Sequence, residues 1–320
     1  MKIKTENLNN FINLKDTDYD YECVNSKHMP KGAKIPYIIN SKTKTYRLVP
    51  KIVGEGTYGV VYKYKDKKSN YSIMVKFFTR SGNLCFKTNK MTLNKDHCKR
   101  YRNHVIQQRC LTSKVKQNLH AIVMQTMDGD LNSLRIETLS VASKLDLCTQ
   151  LTKGLICLKK SKKRHYVDIK PGNCLFKKER NKNYYCIGDL ETCGNNRTVI
   201  TYVPPYDSTC TEQTTVWGLA LLMLYIFTEK YIYNVHWRNF TTGSDRHNTY
   251  NLKYALFTYH DLILNTKHFP YLKLKHRNFL IRCLSSNTKE VPTLKEVLLF
   301  LNKYKKINHF HKKKKINALP

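Results

Sequence analysis

The chain is 320 residues long and carries 57 Lys+Arg against 23 Asp+Glu, a net charge of +34. A hydrophobic fraction of 41%, with 22 Tyr and 12 Phe, is enough to build a core and excludes global disorder; the length fits one two-lobed domain or two modest ones. A membrane span is excluded as well, because the longest apolar candidate, Leu219 to Phe227, falls far short of the ~18 residues a bilayer needs.

The amino-terminal residues lack the apolar core of a signal peptide, which argues against secretion. The 11 cysteines are an odd count with no CxxC or other zinc spacing, so reduced thiols and an intracellular location are expected. The charge points to polyanionic partners: nucleic acid, nucleotides, or acidic or phosphorylated proteins.

Residues 1–45 are polar, with an acidic cluster at Asp16, Asp18, Asp20 and Glu22, and read as an extension with little core of its own. From 46 to 78 the pattern is strand-like. Arg47 to Val53 leads into a Gly-rich turn, followed by Val60-Val-Tyr-Lys-Tyr, a polar turn over 66–70, and a strand from Tyr71 to Phe78. Residues 92–104 read as a polar helix, with a strand near Val105 and a short buried strand from Ala121 that ends at Asp128-Gly129. Beyond Gly129 the period changes to about 3.6. Leu145, Leu147, Leu151, Leu155 and Leu158 mark a helix to about Lys160, and Val216 to Thr228 reads as a buried helix. A last helix over 293–303 opens with a capping box, Thr293-Leu-Lys-Glu296. Strands first and helices afterwards imply an α+β fold of two unequal lobes and exclude alternating βαβ units.

Three constellations carry chemistry. In Gly54-Glu-Gly-Thr-Tyr-Gly59-Val-Val61, glycines let a strand–turn–strand backbone approach phosphates; the loop precedes a strand, unlike a dinucleotide fingerprint. Lys76 closes the next apolar strand, where a lysine needs an anionic partner. In Asp168-Ile-Lys170-Pro-Gly-Asn173, a carboxylate can accept a hydroxyl proton, a lysine can steady a transferring phosphoryl group and an amide can hold a metal. Asp189, in Ile187-Gly-Asp189-Leu-Glu191, follows a Tyr-Tyr-Cys-Ile strand and is placed at its end as a second metal ligand.

Together these motifs resemble the eukaryotic-type protein kinase family from about Arg47 to Lys303. The resemblance implies a bilobal fold: a β-rich amino-terminal lobe over 46–127 and a mainly helical lobe over 128–304, after an extension over 1–45 and before a basic tail over 305–320. It implies an ATP-dependent transferase acting on a protein hydroxyl, with ATP and Mg2+ as cofactors. Asp168, Lys170 and Lys76 are the catalytic set that it implies. Gly54, Glu55, Gly56, Gly59, Val61, Lys76, Met124 as gatekeeper, Gln125, Met127, Asp130 at the ribose and Asn173 bind the nucleotide; Asn173 and Asp189 hold the metal. Lys170-Pro171 resembles the Ser/Thr branch of the family. The Asn-, Lys- and Tyr-rich composition is similar to that of kinases encoded by large DNA viruses of the herpesvirus or poxvirus type.

The chain departs from the family pattern in places. Tyr166-Val167 replaces His-Arg before Asp168, and Asp189-Leu190-Glu191 replaces Asp-Phe-Gly. The helix glutamate that pairs with Lys76 is missing, with Asp96 as the one substitute; Pro204-Pro205-Tyr206 replaces Ala-Pro-Glu. Val291 and Thr215 stand where a partner Arg and Asp are expected. Losing both members of a buried ion pair can be nearly neutral, whereas losing one costs about 3–5 kcal/mol, so the paired losses read as rebuilt scaffolding. Without the Arg at 167, gating by loop phosphorylation is not expected. Two rival readings stay open: a pseudokinase that binds nucleotide or partners, and a basic nucleic-acid-associated protein acting through the run from Lys303 to Lys315, which also suits nuclear import. The expected partners are Ser/Thr protein substrates of acidic or nucleic-acid-associated type, with direct nucleic-acid binding secondary and no membrane.

Overall fold

The computed structural model describes residues 21–23, 34–56, 59–78, 104–106, 108–112, 120–162, 165–179, 182–190, 211–229, 259–265, 267–270 and 272–317. The proposed helix over 92–104 lies almost wholly outside them, and Asp96, Glu191 and Pro204 to Tyr206 lie outside altogether. The chain divides into two compact units: Met1–Thr92 with Ile106–Met127, and Leu93–Val105 with Asp128–Pro320. The first is built of strands and the second mainly of helices, as the order of periodicities implies.

In the first unit, β1 (Tyr21–Cys23) pairs with β2 (Lys34–Pro36). Six further strands form one antiparallel sheet: β3 (Ile38–Asn40), β4 (Thr45–Gly56), β5 (Gly59–Asp66), β6 (Ser72–Phe78), β7 (Gln108–Thr112) and β8 (His120–Gln125), in the order β3-β4-β5-β6-β8-β7. Side chains alternate as a pleated strand requires. Val60, Tyr62, Tyr64, Ile73, Val75, Phe77, Ala121 and Val123 fill one face. Pro50 lacks an N–H and would break a regular ladder; the β4–β5 register shifts around it, between Val49 and Ile52. The expectation that residues 1–45 bring little core fails in part. Ile35 and Ile39 are fully buried in this cluster, because two isolated isoleucines in a polar stretch complete a sheet face without showing any period of their own.

Gly59 has a structural reason for being glycine. A Cβ there would lie 2.1 Å from the carbonyl oxygen of Phe77 on the neighbouring strand. Gly54 differs, since its Cβ would meet only Val61 at an ordinary 3.8 Å.

In the second unit, α1 (Val141–Lys162) buries all the leucines expected of it. It packs on a three-stranded sheet of order β11-β10-β9, made by β9 (Gly129–Asp130), β10 (Cys174–Glu179) and β11 (Lys182–Ile187). The outer edge of β11 does not stay open. The Gln150 amide accepts from Tyr185 N at 3.0 Å and donates to Asn183 O at 3.2 Å, closing a strand edge with a helix side chain. Gly154 of α1 is required by close approach, since a Cβ would stand 2.2 Å from the His104 carbonyl oxygen. The next residue, Val105, belongs to no strand and makes one parallel bridge to Ile187.

Helix α2 (Glu212–Thr228) is buried from Thr214 to Thr228, as its apolar run predicts, with Thr211 capping Thr214 N at 3.2 Å. Among the described residues, later helices include α3 (Leu274–Cys283) and α4 (Leu294–Asn317). The capping box forms as expected: Thr293 N donates to Glu296 Oε2 at 2.8 Å, and Glu296 N to Thr293 Oγ1 at 3.3 Å. The basic tail expected over 305–320 is a helix as far as Asn317. No Gly or Pro interrupts the chain there, lysine is a good helix former, and cations complement the negative end of the helix dipole. Its earlier turns are fastened by Lys305 Nζ on Asp146 Oδ1 at 2.7 Å and by Tyr304 OH on Pro270 O at 2.8 Å.

Sequence reading missed Arg277. It is 4% exposed, and its guanidinium donates to the carbonyls of Leu272 (2.8 Å) and of Ile263, Leu264 and Phe269 (each 2.9 Å), binding the chain before α3 to that helix. One of the free-thiol expectations also fails: Cys148, Cys174, Cys186 and Cys283 are free and buried, but Cys157 is disulfide-bonded. Among the described residues no helix is long and apolar enough to cross a membrane.

Two stability measurements check these contacts. By chemical denaturation, Gly59→Ala should lose about 1–3 kcal/mol through overpacking, while Gly54→Ala stays within about 0.5 kcal/mol of wild type. Arg277→Met should lose about 3 kcal/mol or more, because buried carbonyls are left without donors.

Candidate active site

In the strand-rich unit, sheet register decides which residues share a face. Val61 pairs with Lys76 and Lys76 with Ile122; Met74 pairs with Met124; Gly54 pairs with Val61. Since paired residues point to the same side, Val61, Lys76 and Met124 lie together on the face opposite the large apolar cluster. Phe78, Ile122 and Met124 make a small apolar group there, and Lys76 Nζ stands 5.4 Å from the Phe78 ring centroid. Glu55 is exposed on the Gly-rich strand, and Gly56 pairs with Gly59; Thr57 and Tyr58 at the tip lie outside the described residues. At the end of β8, buried Gln125 donates to Met127 Sδ at 3.3 Å, and Thr126 Oγ1 bonds Ser72 O at 2.5 Å.

In the helix-rich unit, the turn after β9 is bonded directly to the loop carrying Asp168. Leu131 N donates to Pro171 O at 3.2 Å and to Cys174 O at 3.0 Å. The Asp130 carboxylate accepts from Ser133 N at 3.0 Å, an Asx turn that leaves it partly exposed beside Gly172, where a Cβ would come within 3.8 Å of Asp130 Oδ2.

The loop itself runs from His165 into a 3-10 turn, Pro171–Asn173, closed by Asn173 N on Lys170 O at 3.0 Å. Asp168 is 4% exposed. Its Oδ2 accepts from Lys170 Nζ at 2.9 Å and from Asn173 Nδ2 at 2.9 Å, and the same Nδ2 donates to the Asp168 carbonyl at 2.8 Å. Oδ1 is buried and accepts from no donor among the described residues. One oxygen is thus held by two donors, and the other keeps its acceptor capacity. Beneath the loop, Ile169 packs 3.4 Å from the position a Cβ would take on Gly218 of α2, so the small residue in the buried helix lets the loop sit against it.

Asp189 follows directly from β11. Gly188 N donates to Asn173 O at 2.8 Å, and Leu190 beyond is fully buried. Asp189 takes a left-handed backbone, φ 48°, one of only two such non-glycine residues among those described. Asp168, Lys170, Asn173 and Asp189 are therefore brought together within this unit, with Asp130 next to Leu131, whose N–H bonds to the same loop. Asn173 and the carboxylates are hard oxygen donors of the type Mg2+ accepts. Among the described residues no cluster of three or more His, Cys, Asp or Glu could hold a metal by itself.

Among the described residues, the substituted positions 166, 167, 215 and 291 carry neutral side chains. Val167 is fully buried, and Thr215 turns its hydroxyl back onto Thr211 O of its own helix at 3.1 Å. Tyr166, which sequence reading treated only as the loss of a histidine, is buried and donates its hydroxyl to Gly188 O at 2.9 Å. Its place two residues before Asp168 is the only signal that could have marked it. Cys174 is no nucleophile, since burial pushes its thiol well above the ordinary range, with Cys186 and Cys148 nearby adding to this. Burial, then Lys159, lowers the pKa of His165, while Glu212 opposes.

No curated protein matches the chain. The family model of the protein kinase domain matches residues 47–300, most of the chain and all of the motifs above. With a curled strand-rich unit, a helix-rich unit and this loop in the second, the chain belongs to the protein kinase domain family and has its bilobal α+β fold.

Proposed function

We propose that the protein is an ATP-dependent Ser/Thr protein kinase, moving the γ-phosphoryl group of Mg-ATP to a protein hydroxyl. The observation that carries this reading is the state of Asp168: buried, one carboxylate oxygen held by Lys170 and Asn173, the other with no donor among the described residues. A substrate hydroxyl is the missing donor. Oδ1 of Asp168 accepts its hydrogen bond, aims the oxygen at phosphorus and takes up the proton as transfer proceeds. Lys170, already beside Asp168, lies where charge builds on the transferring group.

The remaining assignments follow the same division. Gly54, Glu55, Gly56, Gly59 and Val61 cover the nucleotide, Lys76 binds phosphate oxygens, and Met124, Gln125 and Met127 border the base, with Asp130 taking the ribose. Asn173 and Asp189 hold Mg2+. When bound there, the metal supplies charge neutralisation and orientation of the phosphates. The Ser/Thr assignment rests on Lys170-Pro171.

We further propose that this kinase is not switched by phosphorylation of its own loop. Val167 stands fully buried and apolar where a phosphate would need a guanidinium. The surplus basic charge, including the run on α4, favours acidic or nucleic-acid-associated protein substrates and a nuclear location; direct contact with nucleic acid is secondary. The pseudokinase alternative draws on Glu191 and the missing helix glutamate.

With radiolabelled ATP and a generic protein substrate, wild type should transfer label to serine and threonine. Asp168→Asn and Lys76→Met should each lose about 10²-fold or more in kcat/KM. Asp168→Asn retaining transfer, or wild type binding Mg-ATP without turnover, would favour the pseudokinase. Phosphatase pretreatment should leave the wild-type rate within about twofold; a larger fall would refute the ungated reading.

A further inference from the structure

We propose that the outward face of α4 is a docking surface for an acidic, amphipathic helical segment of a protein partner. On the kinase reading above, on which this part of the inference rests, that partner is the substrate.

The helix carries two rows of side chains. Leu294, Val297, Leu298, Leu301 and Tyr304 are buried and hold α4 in its unit. On the outward side stand Leu299, 68% exposed, Lys303 and Lys306, both exposed, and Phe310, 56% exposed. At 3.6 residues per turn these four fall within about 60° of one another, nearly opposite the buried row, and they span about 16 Å. The packing of α4 therefore does not account for Leu299 and Phe310, two large apolar side chains left in water at either end of a lysine pair. Lys305, off this row, is already engaged on Asp146 Oδ1 at 2.7 Å. From Val297 to Pro320 the sequence contains no Asp or Glu, so the charge of the row is not offset within its own segment.

The order apolar, basic, basic, apolar decides the occupant. Positions 299, 303, 306 and 310 are spaced by four, three and four, the spacing of a coiled-coil seam, so a second helix can lie along them in register. A helix with acids opposite Lys303 and Lys306 and apolar residues opposite Leu299 and Phe310 complements every position. A second copy of this chain does not, because parallel or antiparallel pairing in register sets lysine against lysine. A nucleic acid would use the lysines and could stack a base on Phe310, but it gives Leu299 nothing to bury against. An anionic bilayer needs a broad apolar face, and two charges interrupt this one.

The test uses the full chain and a fluorescent helical peptide that places leucine, glutamate, glutamate and leucine at the same spacing, with binding read by anisotropy. Wild type should bind it. Lys303→Glu with Lys306→Glu should weaken binding about tenfold or more, and Leu299→Ser with Phe310→Ser by a similar factor. All four positions are exposed, so both double variants should melt with wild type. Appended to a serine-containing substrate peptide, the segment should lower KM about tenfold with kcat unchanged, and both double variants should lose that gain. A peptide that wild type does not bind, or that all three proteins bind equally, overturns the proposal. So does tighter binding of a single-stranded oligonucleotide or of phosphatidylserine vesicles that Leu299→Ser with Phe310→Ser leaves unchanged. Peptide binding with the expected losses but no phosphoryl transfer supports the docking surface and counts against the kinase reading alone.

Discussion

One side-chain amide organises the chemical half of this molecule. Asn173 Nδ2 donates to both the carbonyl and the carboxylate of Asp168, and Asn173 O accepts from Gly188 N. These bonds join Asp168 and the approach to Asp189 through a single 3-10 turn, Pro171–Asn173, with Lys170 at its start. Everything else in that unit supports the turn: Gly218 makes room for Ile169, Leu131 N closes it from β9, and α1 braces the sheet from which it emerges. In a buried setting such a network is strong when complete and costly when broken, so its members cannot be exchanged one at a time.

Among the described residues, positions 166, 167 and 215 carry none of the family's ionic fastenings, and the reason the loop still holds is chemical. Charged pairs have been replaced by neutral groups that each find a partner or none is needed: a phenol on a carbonyl, a threonine on its own helix, a valine in the core. Neutral groups avoid the desolvation cost that a buried ion pair must recover through geometry. A different buried cation, Arg277, is kept where four backbone carbonyls satisfy it, which shows what a lone guanidinium requires in order to be tolerated inside.

Much of this was legible in the residues. Alternation in 59–78, the leucine spacing of α1, the continuous apolar run of α2 and the capping box at Thr293 are local signals, and each became the element it implies. What escaped was long-range. Ile35 and Ile39 join a core whose other members begin at Tyr46; Arg277 meets carbonyls supplied by a different segment; Tyr166 reaches across 22 positions to Gly188. Gly59 illustrates how one letter can carry two readings: its spacing suggested phosphate, while its lack of a Cβ is already demanded by Phe77 O. The residues proposed for the site in the stretch 168–189 lie close in sequence, and the fold keeps their backbones together over short loops.

The lysine run at the end of α4 gains a different physical meaning from being helical. Lys303 to Lys315 lies on a continuous helix whose earlier turns are anchored through Tyr304 and Lys305, so the charge is carried as a rigid arm instead of a string. At about 1.5 Å per residue its backbone positions are spaced in advance of any encounter. A concentration of like charge along one helix gives its unit a large electric moment. In the field of a polyanionic assembly that moment exerts a torque, turning the unit before contact is made, and adding salt should blur this orientation as well as weaken attraction.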